Sequence, residues 1–197
     1  MSTDLGATRT DGRPMAGSWT IDSVHSVVSF TVEHFTIAVA RGIAAGPTGT
    51  ILVGDDLAGS SVTASIDART LTTANAMRDE KIHGPDVLDV DNHPTIDFVS
   101  TALRLEGGVG HLLDGQLTLR GVTRPITLEI TYRGTVTDVW GKERMGMTVT
   151  TEISRSEFGA GEWGRVALSS GGFMVPDTVR VTMEIEATLD VPEAARP

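Results

Sequence analysis

Apolar and polar residues alternate along most of the chain, which is the pattern of β-strands with one buried face. The segment from Thr178 to Asp190 shows it most cleanly, with apolar residues at the odd positions 179–189 and polar residues at the even positions. Similar alternation runs through residues 28–33, 61–68, 95–105, 111–120, 126–133 and 144–153. The pattern predicts about eight or nine strands, the first reaching from Trp19 to His34, with a bend or broken strand between Phe35 and Gly49.

One segment departs from this pattern. Residues 72–83 read TTANAMRDEKIH, where helix formers replace β-branched residues, and Gly84-Pro85 follows as a stop signal. We predict one short helix over about residues 74–83, acting as a plug or lid at one end of the fold. Because closure removes exposed sheet edges, long strands favour an all-β antiparallel barrel of about eight strands over a sandwich.

Composition limits the function classes. The 197 residues fit one domain, predicted at residues 18–191, with a disordered tail at residues 1–17 and a short tail at residues 192–197. A net charge of −10, from 26 acidic against 16 basic residues, argues against nucleic acid as a partner. The absence of cysteine excludes disulfides and thiolate sites. No stretch has the apolar run of a signal peptide or of a membrane helix of about 20 residues, so we expect a cytoplasmic protein that does not span a membrane.

The inward strand faces supply the candidate ligand-binding residues. On the residues alone they either fill a solid core or line a cavity that holds one ligand, and the flexible methionines among them suit an adaptable apolar ligand. His34 and Arg155 are candidates for contact with a ligand headgroup. We interpret Asp22, His25, Arg78, Asp79, Arg155 and Asp177 mainly as a polar network that locks one end of the barrel. The apolar candidates are Val28, Phe30, Val32, Ile96, Phe98, Leu117, Leu119, Ile126, Leu128, Met145, Met147, Val149, Val181, Met183 and Ile185.

Metal and nucleophile chemistry finds little support. His25 and His34 differ in strand parity, and the other three histidines lie in separate connections without short ligand spacing, so we expect no metal or other cofactor. Adjacent His25 and Ser26 point apart on a strand, and no G-x-S-x-G elbow occurs. We therefore predict no catalytic residues and no enzyme.

Four ordered motifs resemble those of the YceI-like family. The first motif consists of Trp19, Asp22, His25-Ser26 and Phe30-x-Val32-x-His34. The second consists of R-D-E-K-I-H-G-P-D-V-L-D-V from Arg78 to Val90, followed by His93-Pro94-x-Ile96-x-Phe98-x-Ser100. Residues 115–125 resemble the third, and Ser154-Arg155-x-x-Phe158-Gly159 with Pro176-Asp177-x-Val179 the last. Val87-Leu88 stands where relatives often carry an aromatic pair, and Ile43 where phenylalanine is common, and either difference could alter the pocket.

The resemblance implies an extended lipocalin-like antiparallel barrel whose apolar interior binds a long-chain isoprenoid lipid, such as a polyprenyl compound or an isoprenoid quinone. It also suggests a homodimer. The leading hypothesis is therefore non-catalytic binding, carriage or sequestration of such a lipid. The alternatives are an enzyme that acts on a lipid within the same barrel, and a solid-core β-domain that serves as an interaction module.

Overall fold

The computed structural model describes residues 13–106 and 110–190. Within these ranges the chain forms strands, one α-helix and four short 3₁₀ turns. The strands are β1 (Gly17–Ile21), β2 (Val27–His34), β3 (Ala38–Ala45), β4 (Thr48–Val53), β5 (Ser61–Asp67), β6 (Thr95–Leu105), β7 (Gly110–Leu119), β8 (Val122–Thr137), β9 (Glu143–Ser154) and β10 (Thr178–Leu189). The helix α1 (Ala76–His83) lies between β5 and β6.

The sheet closes on itself through antiparallel pairs. The order is β1-β4-β5-β6-β7-β8-β9-β10, and β10 pairs back onto β1. β2 pairs with the other half of the same edge of β10, and β3 pairs with β2. β1 with β2, and β3 with β4, are therefore two halves of two long wall strands, and the molecule is the predicted all-β, lipocalin-like barrel of eight strands.

The predicted first strand is interrupted where an aspartate turns the backbone. The Asp22 carboxylate accepts hydrogen bonds from the amides of Val24 at 2.9 Å and His25 at 3.2 Å, which replace ladder bonds with a local turn. Ser26 restores the connection to β10, because its hydroxyl donates to the carbonyl of Glu186 at 3.1 Å and accepts from the amide of Glu186 at 3.0 Å. The second wall strand is interrupted between β3 and β4, at Gly46 and Pro47. Gly46 has a φ of +68°, a backbone conformation that favours glycine.

The helix is where the sequence predicts it. The side chain of Asn75 caps it by accepting from the amide of Arg78 at 3.0 Å, and Gly84 ends it. None of its side chains is buried, so α1 lies over the barrel rather than inside its core. Within the described ranges, no helix has both the length and the apolar character needed to cross a bilayer.

One end of the barrel is closed by a packed core. Trp19, fully buried, donates its indole N–H to the carbonyl of Met15 at 3.0 Å, so the ordered barrel begins before β1. The rest of the predicted N-terminal tail, residues 1–12, and the predicted C-terminal tail, residues 192–197, lie outside the described residues. The buried members of this cluster, here called the closed-end core, are Trp19, Ile21, Ile51, Val53, Leu57, Tyr132, Met145 and Ala187.

Candidate binding cavity

A cavity of about 1240 Å³ fills the middle of the barrel. This exceeds the roughly 300–1,000 Å³ of pockets that hold drug-sized ligands. The inward strand faces enclose it, and most of the lining side chains are aliphatic. Such a volume is incompatible with the alternative of a solid-core β-domain.

Every predicted ligand-binding residue except Met145 lines this cavity. Met145 is almost fully buried in the closed-end core, and it borders a second, small cavity of about 70 Å³. It shares a strand face with Met147 but lies one pleat deeper, beyond the end of the main cavity. Whether the lining residues contact a ligand stays a prediction. The residues placed on the lining are Val28, Phe30, Val32, His34, Ile96, Phe98, Leu117, Leu119, Ile126, Leu128, Met147, Val149, Arg155, Val181, Met183 and Ile185.

Two phenylalanines lie flat against glycines on neighbouring strands. A Cβ atom on Gly42 would come within 2.3 Å of the Phe30 ring, and a Cβ on Gly115 would come within 2.3 Å of the Phe98 ring. Only glycine leaves room for a ring in these positions. The two rings therefore lie against the barrel wall and do not project across the lumen, which stays open.

The cavity opens at the end where the β2–β3 hairpin meets α1. His34, Val39 and Met77 line it and are exposed, with Met77 at 83% and Val39 at 45% of full exposure. At the other end the lining residues Ile21 and Ile51 are buried, at 6% each. The cavity therefore has a mouth and a floor. The His34 ring contacts the Phe35 ring edge-on, with centroids 4.3 Å apart.

Polar contacts hold α1 at the mouth. The Asp79 carboxylate accepts from the Thr72 hydroxyl at 2.6 Å and from the Thr73 amide at 2.8 Å, and the Thr72 and Thr73 hydroxyls lower the pKa of Asp79 to about 2. Arg78 donates to the hydroxyl of Thr73 at 2.7 Å and to its carbonyl at 2.9 Å. His83 bonds the carbonyl of Leu71 at 2.7 Å. These contacts attach the helix to the segment that follows β5.

Arg155 supports the loop of residues 159–177, which forms another side of the mouth. Its guanidinium donates to the carbonyls of Pro176 at 3.0 Å, Ala160 at 3.2 Å and Val175 at 2.8 Å, and also to that of Gly161. Burial lowers its pKa. Most of its donors are therefore occupied by the protein, so the structure gives Arg155 a role in holding the loop.

Asp177 lies beside Arg155 and anchors the start of the same loop. Its carboxylate accepts from the amide of Ser156 at 3.0 Å, from the hydroxyl of Ser156 at 2.9 Å and from the hydroxyl of Ser154. Burial opposes ionisation here, but these donors outweigh it, and the pKa of Asp177 is lowered. The carboxylate fixes the turn that leads from β9 into the loop.

The closed end carries a separate ionic cluster around Arg144. Its guanidinium donates to Asp22 at 2.7 Å, Asp138 at 2.7 Å and Glu186 at 2.5 Å, and its pKa is raised, most strongly by Asp138. The ring of His25 also bonds Asp22 at 3.0 Å and contributes most to lowering the pKa of that carboxyl. Asp22, His25 and Glu186 are close enough together to suggest a metal site, but the Arg144 guanidinium already pairs with both carboxylates.

The polar network expected at one end is therefore three separate clusters. Asp22 and His25 belong to the closed end, Arg78 and Asp79 hold α1, and Arg155 with Asp177 holds the loop. The expectation of a single network was wrong because all six residues lie outside the strands, and the sequence does not show where each of these segments lies on the barrel.

Several lining residues lie outside the alternating pattern of apolar and polar positions. They lie in α1 and in the connections at the mouth, where no period of two marks the inward side. Val87 and Leu88 do line the cavity, so the departure from an aromatic pair bears on its shape, whereas Ile43 is exposed at 46% and is not part of the lining. The mouth residues that the pattern missed include Leu71, Met77, Ile82, Val87, Leu88, Met174 and Val175.

Neither ring nitrogen of His111 has a hydrogen-bond partner within residues 13–106 and 110–190. The ring borders the small cavity at the closed end, together with Leu103, Tyr132 and Met145. Burial among these side chains lowers the pKa of His111.

Relatives share sequence with about three quarters of the chain. A UPF0312 protein of Pseudomonas putida strain W619 is 34% identical over 152 residues, covering 75% of this chain and 79% of that protein. A UPF0312 protein of Vibrio cholerae is 32% identical over 148 residues, covering 73% and 78%.

Solved structures agree on the fold. Burkholderia cenocepacia BcnA superposes with a TM-score of 0.73 at 22% identity, covering 85% of this chain and 99% of that one. A polyisoprenoid binding domain from Saccharophagus degradans, implicated in plant cell wall breakdown, superposes with a TM-score of 0.65 at 17% identity, covering 87% and 98%. The family model for the YceI-like domain matches residues 19–187, which is nearly the whole barrel. Together with the closed barrel and its apolar cavity, this match shows that the chain belongs to the YceI-like family.

Proposed function

We propose that the chain binds a long-chain isoprenoid lipid, a polyprenyl compound or an isoprenoid quinone, in the barrel cavity and carries or sequesters it without catalysis. The observation that carries the proposal is the cavity of about 1240 Å³, which is open at the mouth and apolar to its floor. The name of the Saccharophagus degradans relative, a polyisoprenoid binding domain, supports the same ligand class.

The apolar lining is sufficient to bind such a tail. Burying a methylene contributes about 0.8 kcal/mol, so about twenty tail carbons give on the order of 16 kcal/mol before costs. Association costs about 4–15 kcal/mol, which leaves about 1–12 kcal/mol. Micromolar binding needs about 8 kcal/mol, so the tail alone reaches it when association costs about 8 kcal/mol or less. Polar groups at the mouth then select among headgroups rather than supply the affinity.

The placement of the titratable groups favours binding over catalysis. Those on the lining, such as Glu33, His34 and Lys81, lie at the mouth, whereas the middle of the cavity is lined by aliphatic side chains. Proton transfer requires an acid or base within hydrogen-bond reach of the reacting atom. A lipid-modifying enzyme in this barrel would therefore act only on the headgroup, and a product formed from loaded lipid would support that alternative.

The direct test compares one substitution on the two faces of the wall. Val181 lines the cavity, and Val99 faces outward with 52% exposure. Val181→Trp occupies lumen volume, so we expect it to reduce uptake of a polyprenol by delipidated protein at least tenfold. Val99→Trp adds the same ring outside the cavity, and we expect wild-type uptake.

Extraction of the purified protein, followed by mass spectrometry, identifies any lipid that it carries from the cell. A consistently lipid-free preparation that also takes up neither polyprenols nor quinones would contradict the proposal. Equal loss of uptake in both tryptophan variants would show that binding does not occur in the lumen.

A further inference from the structure

The floor of the main cavity is a thin partition. Five residues, Ile51, Val62, Leu113, Ile130 and Met147, line both the main cavity and the small cavity of about 70 Å³ beyond it. The small cavity continues the axis of the lumen toward Tyr132 and Met145 of the closed-end core. These shared side chains therefore lie between the two spaces.

Met147 is the adaptable member of the partition. It packs against both the closed-end core and the mid-wall cluster of Phe98, Leu113, Leu128 and Val149. Its cross-strand neighbours are Tyr132 on β8 and Ile185 on β10. The other four are branched aliphatic residues with fewer rotatable bonds, whereas methionine is unbranched and has three. The thioether side chain is therefore the member of the partition that can change its conformation most readily.

We propose that this partition, and Met147 in particular, sets the longest isoprenoid chain that the barrel accepts. The inference rests on the proposed function and adds the residue that selects chain length. A linear apolar ligand fills the lumen from mouth to floor, so a longer chain must either pass the partition or leave carbons exposed at the mouth. Exposed apolar carbons lose the burial that drives binding.

The volumes give the size of the step. Met147→Ala removes three heavy atoms, each comparable to the roughly 30 Å³ that one water occupies in the liquid. Added to the small cavity of about 70 Å³, this opens on the order of 160 Å³. A five-carbon isoprene unit, on the same scale, needs about 150 Å³. We therefore expect the limit to shift by about one isoprene unit.

The experiment loads delipidated protein with an equimolar series of polyprenols of graded length and measures the retained lengths by mass spectrometry. Met183→Ala is the matched control, because Met183 lines the main cavity but not the small one. We expect the longest retained polyprenol to gain about one unit in Met147→Ala and to be unchanged in Met183→Ala. Met147→Phe should shift the limit downward, and thermal melts establish that each variant is folded.

Two results separate this inference from the proposed function. If wild-type protein retains polyprenols but the Met147 variants keep its length profile, the partition does not set chain length and lipid binding stands. If wild-type protein retains polyprenols of every length equally, the length limit itself is refuted. If it retains none of them, both proposals fail.

Discussion

Replacing Arg155 with methionine will loosen the loop that borders the cavity mouth. The guanidinium donates to carbonyls at both ends of the loop, at Ala160 and Gly161 and again at Val175 and Pro176. Methionine retains an apolar stem of similar length but has no donor, so these carbonyls lose their partner. We expect the loop to separate from β9 more often than in wild-type protein.

The contacts set the size of the effect. A hydrogen bond that involves a charged group contributes about 1.5–3 kcal/mol, but four such bonds to one group are not additive. Because the loop lies at the surface, some carbonyls will bind water instead. We therefore expect Arg155→Met to lower the free energy of unfolding by about 3–5 kcal/mol. In a protein of this size that corresponds to a decrease in Tm of roughly 6–20 °C.

Urea unfolding of delipidated protein measures the loss, and amide hydrogen exchange locates it. Arg180→Met is the control, because Arg180 forms an exposed ion pair with Glu152 at 2.7 Å, and exposed pairs contribute about 1 kcal/mol or less. Exchange should accelerate at the amides of Ala160 and Val175 in Arg155→Met alone. If Arg155→Met is as stable as Arg180→Met but binds lipid more weakly, Arg155 acts on the headgroup and the loop-holding role is wrong.

Three further predictions concern other sites. Because burial lowers the pKa of His111 from 6.5, this side chain takes up a proton in the unfolded protein before it does so in the folded protein as pH falls below 6.5. The free energy of unfolding therefore decreases with falling pH, with a slope of at most about 1.36 kcal/mol per pH unit from this group. His111→Leu should remove that slope in urea unfolding measured at several pH values, and an unchanged slope would contradict the buried-ring explanation. Gly42→Ala should displace the Phe30 ring from the barrel wall and lower the free energy of unfolding by about 1–3 kcal/mol, measured by thermal unfolding. Gly59→Ala is the control, because a Cβ atom there meets open space, and it should lower the free energy of unfolding far less. Equal decreases in the two variants would refute the close contact between Gly42 and Phe30. Asp79, with a pKa lowered from 3.8 to about 2, stabilises the fold above pH 3.8 and loses that contribution as pH falls from 3.8 to 2. At pH 7 the amides of α1 should therefore exchange faster in Asp79→Asn than in wild-type protein. Near pH 2 the exchange rates of the two proteins should differ less.

The inward faces of the barrel could be predicted because alternation is a local property. Val28, Phe30 and Val32 follow one another at every second position, and a pleated strand places such residues on one side regardless of the rest of the chain. The same reasoning could not place Met145. The position of Met145 in the alternation correctly predicts that it faces inward. Its depth along the barrel axis depends on the stagger of β9 against β8 and β10, which is a property of the closed barrel.

The polar clusters and the mouth could not be derived in this way. Arg144 and Asp22 are 122 positions apart, and nothing local to either residue indicates that they meet. The lining contributed by α1 and by Val87 and Val175 lies in connections without strand periodicity. Their positions follow from how these connections fold over the barrel end, which is set by contacts such as those of Arg155.

The most direct test of the central claim is a crystal structure of the protein loaded with a polyprenol or an isoprenoid quinone. We predict continuous electron density for the apolar tail, running from the mouth beside His34 and Met77 to the partition at Ile51 and Met147. Density confined to the outer surface, with only water inside the barrel, would contradict it.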